Sequence, residues 1–261
     1  MAEYWVSLFL VGSFVATLVY YLARKIRLMA LVDLIWTAGL GIASILFFVS
    51  AGLGSARACV VLLLIGLWSF RLSFYLLKDR VWSGHEDPRY KALADYWGDN
   101  ALRNFYFLFL IQIPFIALFL YPVSVAMQNT AGGWMWSDSL GVIIAVIAMC
   151  GEAVADRQLS KFRADPRKKG GVCRSGLWRY SRHPNYFFEW LHWFAYVAFA
   201  YTAPNGWLAL LGPLSMYIFL RFLTGVPPAE RSSLKSRGEA YREYQKTTNA
   251  FFPWIPRDQA V

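Results

Sequence analysis

The amino-acid sequence predicts an all-α integral membrane protein with seven transmembrane helices. Of the 261 residues, 57% are hydrophobic and only 16% are charged, whereas soluble domains are roughly half apolar and about a quarter charged. Seven stretches reach roughly the 18 to 20 apolar residues that a helix needs to cross a bilayer. These stretches are about Tyr4–Leu22, Ala30–Val49, Arg57–Leu77, Phe105–Val123, Ser139–Leu159, Tyr186–Ala203 and Gly206–Thr224.

Lysine and arginine are concentrated in alternate loops. Three follow span one, five follow span three, nine follow span five and six lie in the tail, whereas the other loops are nearly bare apart from Arg57 at an edge. Because basic loops stay in the cytoplasm, an odd number of spans places the N-terminus outside and the C-terminus inside. The net charge of +10 follows largely from this sorting and from contact with anionic lipids, and its division among loops argues against nucleic acid as a partner.

The chain shows no tandem repeat and no linker long enough to separate two domains. We therefore expect one transmembrane domain covering residues 1–261. Its three cysteines, Cys59, Cys150 and Cys173, match no metal-ligand spacing, so no metal is expected.

Seven ionisable residues lie inside predicted spans, where such groups are costly and usually face a cavity or a partner. On the predicted topology all seven lie toward the cytoplasmic ends, which predicts a common polar cavity open to the cytosol. The alternative is that they extend to the membrane surface, which suits a long arginine better than a short carboxylate. The seven are Asp33, Arg71, Glu152, Asp156, Glu189, His192 and Arg221.

The segment "GLWRYSRHPNYFFEW", residues 176–190, concentrates hydrogen-bonding groups at the start of span six. Pro184 lies where proline is tolerated and free backbone N–H groups point outward. An anion bound there would meet the helix N-terminus together with Arg179, Arg182 and His183. The nearby aromatic rings suit a flat heterocycle, so the segment predicts a site for a nucleotide-like molecule.

An interfacial helix held to lipid by basic and aromatic residues is the alternative for this segment. It explains Arg179 and Arg182, but not Asn185 and Glu189, which lie four residues apart on one helical face. A second polar segment, "EDPRY" at residues 86–90, predicts a turn that caps a short helix, with a lid over a cofactor as the alternative.

Several of these segments resemble the steroid 5-alpha-reductase-like family, in a bacterial branch of unknown function. "RYSRHPNYFFEW" is similar to the family signature R-H-P-N-Y-x-G-E, with Phe188 in the place of glycine. "WSFRLSFYLLKDR", "EDPRYKAL" and the tail "ERSSLKSRGEAYREYQKTTNAFFPWIP" also resemble this branch, so the resemblance covers nearly the whole chain. It implies a seven-helix bundle in the bacterial inner membrane, with a substrate half at about 1–125 and a cofactor half at about 139–257.

The resemblance also implies NADPH as the cofactor, bound on the cytoplasmic side. The reaction implied is reduction of a carbon–carbon double bond conjugated to a ketone, in a steroid-like or other lipid substrate. Asn185 and Glu189 would approach the nicotinamide amide. Together with Arg182 from the residue pattern, the cofactor contacts implied are Arg71, Arg80, Glu152, Asp156, Arg163, Arg174, Arg179, His183, Asn185, Tyr186, Glu189, Arg231 and Tyr244.

The substrate half departs from the steroid enzymes, which place a Gln-Glu pair in span two. Here Asp33 is the only carboxyl group of that span, and Trp68 aligns with a tyrosine of the family. Because negative charge grows on the substrate carbonyl oxygen, a proton donor is needed there. We predict Asp33 in this role, assisted by Tyr75, with Glu189 as the alternative.

Two other functions compete with a reductase. Isoprenylcysteine and phospholipid methyltransferases, which use S-adenosylmethionine, share an R-H-P-x-Y motif and a tail like "GEAYREYQ", but commonly carry paired glutamates where this chain has Ala229–Glu230. The many arginines between 157 and 182 favour a cofactor that carries phosphates. The third possibility is a non-catalytic lipid-binding or transport protein, although the inverted repeats of transporters are absent. We expect a monomer whose other partners are membrane lipids.

Overall fold

The computed structural model describes residues 2–82, 84 and 86–257, and every regular element within them is helical. Two π-helical turns, Leu77–Val81 and Phe219–Leu223, extend the third and ninth helices. The α-helices are α1 Ala2–Ile26, α2 Leu31–Ser50, α3 Ala56–Leu76, α4 Pro88–Trp97, α5 Ala101–Leu110, α6 Gln112–Met127, α7 Trp136–Ala164, α8 Pro184–Phe199, α9 Leu211–Ile218, α10 Val226–Arg237 and α11 Glu239–Thr247.

Six helical stretches of the described chain are long and apolar enough to cross a membrane. The predicted sixth span corresponds to α8, which has 16 residues and is shorter than the roughly 20 that a bilayer requires. The all-helical, multi-pass class is therefore confirmed, whereas the count of seven and the orientation stay predictions. The six stretches are Ala2–Ile26, Leu31–Ser50, Ala56–Val81, Pro88–Met127, Trp136–Ala164 and Gly206–Arg237.

The chain divides into two compact units. Unit 1 comprises Met1–Met135 and Phe199–Leu211, and unit 2 comprises Trp136–Ala198 and Gly212–Val261. In unit 1 the polar side chains of α2 and α3 join the two helices. Ser69 donates to the carbonyl of Thr37 at 2.7 Å, and Ser73 donates to the Thr37 hydroxyl at 3.0 Å. Such bonds stabilise helix packing where no water is present to compete.

Arg57, the exception to the charge sorting, has a structural role in unit 1. Its guanidinium donates to the carbonyls of Asn129, Ala131 and Gly133 at 2.7, 3.2 and 2.9 Å. These carbonyls follow the end of α6, where helical partners run out. Arg57 is buried, so its charge closes a turn and is not a topological signal.

In unit 2 the C-terminal segment returns to the helices. Phe252 packs on Trp190 of α8 and on Tyr217 of α9, with ring centroids 5.4 and 5.9 Å apart. The Trp190 indole also donates to the carbonyl of Pro213 at 3.0 Å. Aromatic pairs at these distances stabilise packing beyond their buried area, so the tail is an integral part of unit 2.

Candidate functional site

The loop that precedes α8 is held against α7 by a close backbone approach. Gly176 has φ of +60°, and a Cβ there would lie 2.4 Å from the Gln158 side chain. Gln158 in turn accepts a hydrogen bond from Leu177 N at 2.9 Å. Only glycine adopts this backbone conformation without strain and leaves room for the glutamine. The glycine that opens the predicted segment therefore positions it on α7.

The loop is also tied to α11 through Tyr244. The Tyr244 hydroxyl donates to the carbonyls of Trp178 and, at 3.2 Å, of Ser181. The guanidinium of Arg174 lies over the Tyr244 ring, 5.4 Å from its centroid, and donates to the Ala240 carbonyl at 2.6 Å. Tyr244 is buried, and its hydrogen bonds hold the loop and the tail together.

Arg182, predicted to bind an external anion, contacts a carboxylate of the chain itself. Its Nε and Nη2 atoms lie 2.7 and 2.6 Å from Glu230 Oε1. Its Nη1 atom donates to the carbonyls of Gln245, at 3.2 Å, and Thr248. All these donors therefore bond to acceptors of the chain itself. Arg182 connects the loop before α8 to α10 in this structure. Sequence reasoning missed Glu230 in this role; the signal was an isolated carboxylate after a proline pair in a basic tail.

His183 lies beside this ion pair. Its ring stacks on Tyr186 with centroids 5.3 Å apart, and its Nε2 atom is 3.5 Å from Glu230 Oε1. Burial lowers the pKa of His183 below its usual 6.5, because the cost of desolvating the imidazolium exceeds the attraction of Glu230. His183 of the loop and Tyr186 in the first turn of α8 are therefore two predicted cofactor contacts that lie together, stacked face to face.

Two pairs of polar residues lie on α7 and α8, and one hydrogen bond joins the pairs. Glu152 and Asp156 are one turn apart on α7, as are Asn185 and Glu189 on α8. Asn185 Nδ2 donates to Asp156 Oδ1 at 3.2 Å, while Asn185 Oδ1 is buried and accepts no hydrogen bond. Glu152 and Glu189 are both buried. Four of the predicted site residues therefore lie on two packed helices.

Phe188 occupies the position where the resembled signature has glycine, and α7 accommodates it. A Cβ on Gly151 would lie 2.4 Å from the Phe188 ring. Gly151 of α7, which has no side chain, thus leaves the space that the Phe188 ring of α8 occupies. This contact lies next to Glu152 and Glu189 in the sequence, so it sets the spacing of the helices that carry them.

Three further predicted cofactor contacts of unit 2, Arg163, Arg179 and Arg231, are exposed. Within the described part of the chain none of their guanidinium groups has a carboxylate partner. Arginines in this state can bind phosphate groups with paired hydrogen bonds.

In unit 1, Asp33 lies in a network of cations. Its oxygens accept hydrogen bonds from Arg80, from the Tyr90 hydroxyl and, at 3.1 Å, from Arg89. Arg80 also contacts Asp87 Oδ2 at 2.9 Å. These contacts join Asp33 to α4 and to the π-helical turn after α3, and its predicted role as proton donor stays a prediction.

The remaining predicted residues of unit 1 lie on α3. Arg71 is half-buried and Tyr75 is 43% exposed. Tyr75 lies one turn after Arg71 on the same face of α3. The π-helical turn that extends α3 carries Arg80. Their predicted roles stay predictions.

The segment "EDPRY" forms the predicted cap. Asp87 accepts a hydrogen bond from Arg89 N at 2.8 Å and Pro88 is the first residue of α4, as expected at a helix N-terminus. Glu86 caps a second helix, because its carboxylate accepts from Met29 N and, at 3.0 Å, from Ala30 N just before α2. The capping interpretation is confirmed, and the second cap was not predicted.

Comparisons with known proteins agree with the resemblance. The family model described as "Protein of unknown function (DUF1295)" matches residues 19–248. The chain is 27% identical over 257 residues to Uncharacterized protein C594.04c of Schizosaccharomyces pombe, covering 85% of this chain and 72% of that protein. No solved structure matches significantly. The chain belongs to the DUF1295 family, a steroid 5-alpha-reductase-like family of unknown function.

Proposed function

We propose that the chain is an NADPH-dependent membrane reductase acting on a carbon–carbon double bond conjugated to a ketone in a lipid. The observation that carries the proposal is the state of the Asn185 amide. Its nitrogen donates to Asp156, while its buried oxygen accepts no hydrogen bond. A buried acceptor left unused costs about 1–3 kcal/mol, and the carboxamide N–H of a nicotinamide would satisfy it.

Other residues of unit 2 fit a dinucleotide phosphate. Arg163, Arg179 and Arg231 carry guanidinium groups that are not paired with carboxylates in the described chain and would bind its phosphates. His183 and Tyr186 form a stacked aromatic pair beside which a flat ring can lie. A bound reduced nicotinamide would supply the hydride.

The proton donor that we propose is Glu189, which lies one helical turn after Asn185 and is buried. It would donate its proton at the substrate carbonyl oxygen as negative charge grows there. We favour it over Asp33, whose oxygens accept from two arginines and a tyrosine. The cofactor contacts predicted for Arg71 and Arg80 stay predictions.

The proposed setting is the bacterial inner membrane, with seven spans, the N-terminus outside and the cofactor site in the cytoplasm. The distribution of charge supports it, because nine lysines and arginines lie between 157 and 182 and six between 231 and 257. Basic segments of this density stay on the cytoplasmic side.

The proposal is tested by titrating the detergent-purified chain with NADPH and measuring the heat of binding by calorimetry. We expect saturable binding that is weakened about tenfold or more in Asn185→Ala, since one buried hydrogen bond is worth about 1.5 kcal/mol. Asn104→Ala, on α5 of unit 1, is the matched control and should bind as the wild type does. If the wild-type chain shows no saturable binding of NADPH, the proposal is lost.

Activity is tested with a lipid extract supplied with NADPH, by following the loss of enone absorbance. Glu189→Gln should retain NADPH binding and lose at least about 100-fold in turnover, the lower contribution of a general acid. A variant with unchanged turnover would remove Glu189 from the reaction.

A methyltransferase is the second candidate, favoured by one contact. Glu230 lies where the methyltransferases that share the R-H-P-x-Y motif commonly carry paired glutamates, and it pairs with Arg182 of that motif at 2.6 Å. This pairing leaves one cation fewer for phosphates. The same calorimetry with S-adenosylmethionine separates the two candidates, because we expect heat of binding from only one of them.

A further inference from the structure

A cavity in unit 1 combines two cationic side chains with an apolar floor. It has a volume of about 350 Å³ and opens between the end of α1 and the helices α4 and α5. Its lining comprises the cationic Arg24 and Arg27 and five apolar residues, Met29, Ala94, Ala101, Leu102 and Phe105. Its size lies within the range of small-molecule sites, about 300–1,000 Å³.

The two arginines have no carboxylate partner within the described residues. Both are exposed, and they lie at the end of a helix long and apolar enough to cross a membrane. Arg27 has φ of +57°, and Leu28 N donates to the Ala23 carbonyl at 2.9 Å, which ends α1. Arg24 and Arg27 both line the cavity at the end of this helix.

The rest of the cavity lining is apolar. Phe105 is buried in a core with Tyr20 and Leu31, whereas Leu102 is 43% exposed. The lining includes no hydroxyl or amide side chain. A small soluble anion would leave most of such a surface unused, whereas a phosphate joined to an acyl chain would contact both the arginines and the apolar residues.

We propose that this cavity binds an anionic phospholipid of the membrane leaflet in which α1 ends. Arg24 and Arg27 would contact the phosphate, and the first part of an acyl chain would lie against Met29 and Leu102. Basic residues near a membrane surface attract anionic lipid headgroups. The site lies wholly within unit 1 and is independent of the proposed reductase activity.

The test is native mass spectrometry of the full chain, purified in non-ionic detergent and titrated with phosphatidylglycerol. We expect retention of this lipid over phosphatidylcholine with the same acyl chains. In the double variant Arg24→Gln, Arg27→Gln the apparent affinity for phosphatidylglycerol should fall about tenfold or more. The double variant Lys25→Gln, Arg103→Gln loses the same charge from exposed positions that do not line the cavity, and its affinity should stay within about twofold.

Two further arms separate the sources of the anion. Leu102→Trp fills the cavity without changing its charge, and at this exposed position the fold should tolerate it; lipid retention should fall. Glycerol 3-phosphate, which lacks acyl chains, should not displace the lipid. Equal weakening in both double variants, or displacement by glycerol 3-phosphate, would overturn the proposal.

Discussion

Arg182 and Glu230, 48 residues apart, form an ion pair that joins the loop before α8 to the start of α10. The pair is largely buried, since the exposed fractions of the two side chains are 10% and 17%. Gln245 of α11 donates to the second oxygen of the same carboxylate at 2.9 Å. One carboxyl group therefore fastens three segments of unit 2, and its removal should be felt as a loss of stability.

Glu230→Gln should lower the free energy of unfolding of the detergent-purified chain by about 3 kcal/mol. Removing one member of a buried pair leaves the other charge without compensation. Thermal unfolding measures the loss. Glu239→Gln is the control, because its pair with Arg242 is exposed and should contribute less than about 0.5 kcal/mol. Similar losses in both variants would show that the Arg182 pair has no special role.

Glu86→Ala should destabilise unit 1 by about 1–2 kcal/mol, because Met29 N and Ala30 N lose their shared acceptor. Glu86→Gln retains one amide oxygen and should cost less. Asp95→Asn, at an exposed position of α4, should leave the midpoint of thermal unfolding unchanged. If Glu86→Gln lowered the free energy of unfolding as much as Glu86→Ala does, the capping role would be contradicted.

Gly151→Ala should destabilise unit 2 by about 1–3 kcal/mol, because its Cβ would lie 2.4 Å from the Phe188 ring. The penalty should vanish in a Phe188→Ala background, where the ring is absent. Gly66→Ala is the matched control in another helix, since nothing lies within 4 Å of its Cβ, and it should be neutral or stabilising by up to about 1 kcal/mol. A double-mutant cycle of thermal unfolding measures the coupling.

Stability should fall as the pH drops below about 6.5, in part because of His183. Since its pKa is lowered in the folded chain, the unfolded chain binds the proton first as the pH falls. The contribution is complete above the unfolded pKa and declines by up to about 1.4 kcal/mol per pH unit below it. His183→Asn should reduce the slope of unfolding temperature against pH between 7 and 5. An unchanged slope would show that His183 does not titrate with unfolding.

Many of the helices and their ends could be predicted from residues that are close together in the sequence. Apolar runs predict the membrane helices because each run must satisfy its own backbone in lipid. The cap at Asp87 and the helix start at Pro184 were predicted because caps depend on a few neighbouring residues. The motif "RYSRHPNYFFEW" likewise indicated which polar residues would share one helical face.

The partners of those residues could not be predicted, because they come from distant parts of the chain. Glu230 pairs with Arg182, and Arg89 with Asp33 across 56 positions, only once the helices have packed. The same packing converts Arg182 from a candidate phosphate contact into an internal tie and surrounds Asp33 with donors. Patterns in a sequence identify which groups are charged and on which face they lie; which opposite charge each one meets depends on how separate helices dock, because ion pairs require contact within a few ångströms.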